Sequence, residues 1–258
     1  MVLMGTVSMN KGRSMVRWAM ALVLACAATV VLAAEVDPDR RVETVQFAQG
    51  EISVAISAVL QGRNYVDYQV RGGANQTLGV TLKSKHSMNY FNVNPPGSEM
   101  SMFVGSLSGN QFKRLLPADG VYTIRVYLMR AAARRSETAR YTLTVSLQGK
   151  ALKPVLPSKD ALIRGTPFHA SASIACARQD MPMQRCDANV IRRDSGGTGT
   201  VEVVWPGGFK RNILFVKLQP MASDSRDAMT FSRQGDVTTV SIGKEERVDI
   251  PDALIAGG

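Results

Sequence analysis

The chain has 258 residues, enough for one large domain or two small ones. With 45% hydrophobic and 20% charged residues it has the make-up of folded globular material, which excludes a disordered tail. The formal net charge of +10 favours anionic partners, and the only two histidines, His86 and His169, supply little for acid–base catalysis.

The N-terminus carries Lys11, Arg13 and Arg17, then an apolar run from Trp18 to Leu32, then Ala33-Ala34 and the acidic stretch EVDPDR. That order predicts a secretory signal peptide over residues 1–34 and export to the periplasm. The run is short for a membrane span, which needs about 20 apolar residues, so an uncleaved anchor is the lesser alternative. Cleavage after Ala33 or Ala34 removes three bases and no acid, leaving 28 − 21 = +7. Val23-Leu24-Ala25-Cys26 departs from a lipoprotein box at the bulky Leu24, so lipidation of Cys26 is not expected.

From Val42 to Leu147 apolar and polar residues alternate in short runs broken by Gly, Asn and Pro. Ile52, Val54 and Ile56 alternate with Ser53, Ala55 and Ser57, and Tyr122, Ile124, Val126 and Leu128 with Thr123, Arg125, Tyr127 and Met129. This pattern predicts an all-β fold, with a jelly-roll-like β-sandwich over residues 43–147. Residues 148–165, with two prolines and several lysines, read as a linker. Residues 166–258 read as a second small β domain, with a hairpin turning at Pro206-Gly207-Gly208. Its two cysteines, Cys176 and Cys186, are expected to form a disulfide in an oxidising compartment, since an isolated pair does not make a zinc site.

No HExxH, GxSxG or P-loop pattern appears, so the chain reads as a non-enzyme with no cofactor and no metal site. Asp224-Ser225-Arg226-Asp227 lacks calcium-loop spacing and reads as a solvated turn. Glu245-Glu246-Arg247 reads as a charged turn before an edge strand, while Arg192-Arg193 and Lys210-Arg211 are open to a basic surface or a solvent-facing alternation. Export and the lack of a stacking motif argue against nucleic acid.

The segment LPADGVYTIRVYLMRAAARRSETARYTLTV, residues 116–145, holds five arginines and reads as a hairpin whose connection runs from Arg130 to Arg140. Hairpin loops usually run about two to five residues, and longer ones more often carry function. Arg130, Arg134 and Arg135 concentrate positive charge there, and arginine suits forked contact with carboxylates. The plain alternative is a solvated loop that blunts an edge.

Leu116-Pro117-Ala118-x-Gly120-x-Tyr122-x-x-Arg125-Val126, followed by Arg130, Ala133-Arg134, Thr138 and Tyr141, resembles the periplasmic inhibitors of g-type lysozyme. The resemblance spans residues 43–147 and extends to the wider β-sandwich group of bacterial pre-peptidase C-terminal domains. It implies a non-catalytic protein that plugs a lysozyme cleft through a tight turn, Asp119-Gly120-Val121-Tyr122, and through Arg125, Arg130 and Arg134. Asp119 stands where the family pattern has serine, and a carboxylate there opposes a carboxylate-lined cleft unless a base neutralises it. Tyr122 is equally a core residue by strand alternation. The other partner open to an exported cation is an anionic envelope polymer or glycan. Residues 166–258 resemble a small β domain common in exported proteobacterial proteins, to which no activity attaches.

Overall fold

Alternation of period two puts one face of each strand into a core, and in the computed structural model that rule builds three sheets. The structure describes residues 37–98, 100–179 and 181–257, so the expected signal peptide and Cys26 lie outside the described residues. One sheet of the N-terminal sandwich holds β1 (Arg40–Thr44), β3 (Tyr65–Gly72), β8 (Gly120–Leu128), β5 (Asn89–Asn94) and β6 (Phe103–Val104), in that order. The other holds β2 (Ser53–Gln61), β9 (Thr138–Gln148), β4 (Thr77–Ser84) and β7 (Gln111–Leu115). Among the described residues only β1 and β3 pair in parallel.

Tyr68, Phe91, Tyr122 and Ile124 meet Leu78, Val80, Leu143 and Val145 between the sheets, all essentially solvent-free. Burying each of these side chains is worth about 2 kcal/mol. The hydroxyls of Tyr68 and Tyr141 hydrogen-bond at 2.8 Å inside this core, so each satisfies the other's polar tip. Short helices α1 (Gly105–Ser108) and α2 (Arg130–Arg134) interrupt the strands.

The arginine-rich segment is not a hairpin. β8 pairs with β3 and β5, whereas β9 pairs with β2 and β4. The connection therefore crosses from one sheet of the sandwich to the other, and α2 occupies its first half. Its Arg-Ala-Ala-Ala-Arg sequence explains the helical turn, because alanine has the highest helix propensity.

The C-terminal sheet has eight strands in the order β14 (Gln219–Ser223), β13 (Lys210–Val216), β12 (Gly199–Val204), β11 (Gln184–Arg192), β10 (Ala170–Arg178), β17 (Glu246–Pro251), β16 (Val237–Ile242) and β15 (Met229–Gln234). Leu254 and Ile255 of α3 (Asp252–Ala256) join a core built from Val190, Val201, Trp205, Phe215, Val240 and Ile250. Cys176 and Cys186 form a disulfide across β10 and β11, with Cα atoms 5.9 Å apart. Closing so short a loop is worth about 2–3 kcal/mol.

Several charges expected at the surface are internal. Asp224 and Ser225 are buried, so the expected solvated turn begins inside the protein. Arg211 is also buried, bonding Asp224 at 3.0 Å and Glu246 through a fork of 2.8 and 2.6 Å. Glu246 sits on β17, an inner strand between β10 and β16, and not before an edge strand. Arg193 is buried too, so neither Arg193 nor Arg211 contributes to a basic surface. Burial is tolerable for these groups because each is paired and hydrogen-bonded.

Residues 149–169 contain no helix or strand apart from isolated turns, yet they are tied down. Leu152 donates its N–H to Ala74 and Val155 donates to Arg192. Leu152 also packs with Ala74, Leu115, Leu214, Val216 and Ala222, so sandwich and C-terminal sheet share an apolar junction.

Candidate partner-binding site

At its C-terminal end β8 delivers the chain into α2. Ala132 is buried there with Leu128 and Ala139, against Met88 and Ala133, which fastens the underside of the helical turn to the sandwich. Backbone bonds fix it further: Met129 N–H to Met88 C=O, Glu137 N–H to Ala132 C=O, and Gly62 N–H to Glu137 C=O. Ser136 takes up the left-handed region (φ 52°) to close the turn. Arg135 is consumed locally, since it donates to Glu137, whose other carboxylate oxygen meets His86 Nε2 at 2.8 Å. The Arg135 hydrogen bond holds the Glu137 carboxyl below its ordinary range, with His86 adding to the effect.

Arg130 and Arg134 are different. Both are exposed, and neither pairs with a carboxylate among the described residues. Four positions apart on a helical turn, they project to one side. Two like charges in that relation repel mildly, so their juxtaposition is not itself a stabilising pair.

Beside Arg130 the outer face of the first sheet holds an apolar depression of about 750 Å³, lined by Met88, Tyr90, Tyr127 and Met129. Alternation had already put Tyr127 and Met129 on this face. Met88 and Tyr90 lay hidden because only the pairing of β5 with β8 brings Tyr90 beside Tyr127.

Arg125 lies further back on the same face. It grips Asp67 with two bonds of 2.7 and 2.8 Å, while Arg40 adds a third at 2.8 Å. Asp67 is fully buried beneath the two guanidinium groups. Arg125 also stacks 4.3 Å from the centre of the Tyr65 ring. Its charge is therefore largely spent in tying β1, β3 and β8 together.

The tight turn lies at the other end of β8. Asp119 accepts from Ala74 N–H at 2.8 Å and from the buried Arg193 at 2.9 Å. Arg193 reaches Thr200 and the carbonyl of Leu152 as well, and Thr200 donates to the Pro117 carbonyl at 2.7 Å. The base that neutralises Asp119 thus comes from the C-terminal sheet. Gly120 has φ 148°, and a Cβ there would stand 2.5 Å from Pro96. Tyr122 is wholly buried and donates to the Ala118 carbonyl at 2.8 Å, and burial pushes its hydroxyl pKa well up. Of its two readings, the geometry is that of a core residue.

The six residues singled out from sequence therefore fall into three settings: Arg130 and Arg134 on α2, Arg125 in an ion-pair cluster, and Asp119, Gly120 and Tyr122 at the junction with the C-terminal sheet. At about 3.3 Å per residue, the nine residues of β8 hold the outer two settings roughly 26 Å apart.

Among the described residues no cluster of three or more His, Cys, Asp or Glu is placed to hold a metal, and no helix is long and apolar enough to cross a membrane. No family model and no curated protein matches the chain. Among solved structures it is similar to Aeromonas hydrophila PliG, a periplasmic lysozyme inhibitor of g-type lysozyme, at 33% identity over 42% of this chain and 97% of that one, with a TM-score of 0.38. It is also similar to the Salmonella Typhimurium PliG, at 23% identity over 42% of this chain and 98% of that one, TM-score 0.35. A mutant of the Escherichia coli PliG gives 24% identity over the same shares, TM-score 0.35.

Proposed function

We propose that this chain is an exported, non-catalytic inhibitor of a g-type lysozyme, acting through the α2 end of its N-terminal sandwich. The observation that carries the reading is a pair of exposed arginines, Arg130 and Arg134, without acidic partners among the described residues, on a helical turn anchored by Ala132. Muramidase clefts work with carboxylates, and arginine forks match carboxylates in geometry and charge. Because α2 is fixed by packing and backbone bonds, little ordering entropy opposes the contact. The apolar depression lined by Tyr90, Tyr127 and Met129 supplies the aromatic and methionine surface found at the centre of strong interfaces.

In this reading Arg125 stiffens the platform, and Asp119, Gly120 and Tyr122 secure the opposite end. The test is calorimetric titration of residues 35–258 into g-type lysozyme, with and without a chitin oligosaccharide filling the cleft. Binding that the oligosaccharide displaces is expected. Retention on isolated sacculi with no binding to the enzyme would overturn the proposal in favour of an envelope polymer.

A further inference from the structure

Six strands edge the three sheets of the described residues, and five of them carry a device against pairing with another chain. β1 bears Arg40, Arg41 and Glu43, β7 bears Lys113 and Arg114, β14 contains Pro220, β15 contains Arg233, and β6 is only two residues long. Such charges, prolines and short lengths are the usual protection of sheet edges. β2 has none of them. Its nine residues, SVAISAVLQ, include no charge and no proline.

The backbone of β2 is ready for a partner. Ile52 C=O accepts from Leu147 N–H, and Gly62 N–H donates to Glu137 C=O, so even-numbered residues turn their groups toward β9. In an antiparallel ladder the N–H and C=O of one residue point the same way. The odd-numbered residues Ser53, Ala55, Ser57, Val59 and Gln61 therefore direct theirs to the open side. The core is also unfinished along this edge. Val54, Ile56 and Ala58 face inward yet stay partly exposed, whereas Tyr141, Leu143 and Val145 on the neighbouring β9 are buried.

We propose that β2 is a self-association surface, pairing antiparallel with β2 of a second copy about a two-fold axis at Ser57. In that register Ser57 faces its own counterpart, Ala55 faces Val59, and Ser53 faces Gln61. All five pairs use the backbone groups that point outward. The ends select the direction. Glu51 precedes the strand and Arg63 follows it, both exposed, so antiparallel pairing sets opposite charges together at both ends. Parallel pairing sets like beside like. The same patch serves both copies, as a closed two-fold dimer requires. This inference does not depend on the inhibitor reading.

Sedimentation of residues 35–258 across about 1–300 µM, a range suited to a modest interface, is expected to show a monomer–dimer equilibrium. Ser57→Lys places two lysines face to face on the axis and should weaken the dimer at least about tenfold, while Ser57→Thr leaves it intact. Glu51→Arg and Arg63→Glu each weaken it, and the double swap restores it. Hydrogen exchange supplies a readout in the unmodified chain: the amides of Ala55, Ser57 and Val59 should gain protection with concentration, while those of Val54, Ile56 and Ala58 are protected throughout. A monomer at every concentration, odd-numbered amides that always exchange fast, or a Ser57→Lys variant as dimeric as the parent would each overturn the proposal.

Discussion

The two ends of β8 carry similar charges and use them in opposite ways. At the Gly120 end Asp119 and Arg193 neutralise each other in a junction that also occupies Thr200, Leu152 and Pro117. At the Leu128 end Arg130 and Arg134 remain in solvent with no acidic partner among the described residues. A count of basic residues does not distinguish the two, because what makes a cation available to a partner is the lack of an internal one. In the proposed function the first end serves stability and the second serves binding.

The sharpest way to break this contrast is to remove arginines from each end. Arg193→Ala leaves a cavity and strips buried acceptors of their donor, and should lower the unfolding free energy by about 3 kcal/mol in a denaturant titration. Arg130→Ala/Arg134→Ala should stay within about 0.5 kcal/mol of the parent, as exposed substitutions do. Equal losses at both ends would erase the distinction.

For binding the order reverses. Losing both α2 arginines should weaken lysozyme affinity about a hundredfold, the scale of hot-spot arginines, while Asp119→Asn should change it less than about twofold. An Asp119 variant as damaging as the arginine pair would put the turn back into the interface.

How α2 is anchored gives a finer test. Ala132→Leu overpacks the site beneath the turn, and should cost about 1–3 kcal/mol of stability together with part of the affinity. Unchanged binding would show that the turn need not be held rigid.

The smallest effect concerns pH. The folded-state pKa of Glu137 lies below its unfolded value, chiefly through Arg135. The Arg135–Glu137 tie is then fully formed above the ordinary carboxylate range and is lost as pH falls through the depressed folded value. A carboxyl titration of Glu137 by NMR should have its midpoint below the ordinary glutamate value, and a midpoint at or above that value would contradict the tie.

Much of the fold was legible because alternation reports which face a residue takes. Ile124 and Val126 were placed in the core by that rule alone, and for Tyr122 the same rule stood level with a reading as a partner contact. Alternation does not name a strand's neighbours, so β8 and β9, close in sequence, were read as a hairpin although they lie in different sheets. The same limit hid Tyr90 beside Tyr127. Arg193, Arg211 and Asp224 were read as surface charges because a charge is buried only where tertiary pairing supports it, and their partners lie 74, 35 and 13 residues away. The helical signal in Arg130–Arg134 was present in its three alanines and was masked by the strands on either side.

In the proposed function Arg130 and Arg134 form the inhibitory surface. This assignment is tested most directly by following lysis of a cell-wall suspension by g-type lysozyme as residues 35–258 are added. Inhibition is expected to saturate with the parent chain, to persist with Asp119→Asn, and to disappear with Arg130→Ala/Arg134→Ala. Lysis unaffected by a large molar excess of folded protein, or inhibition that survives loss of both arginines, would contradict it.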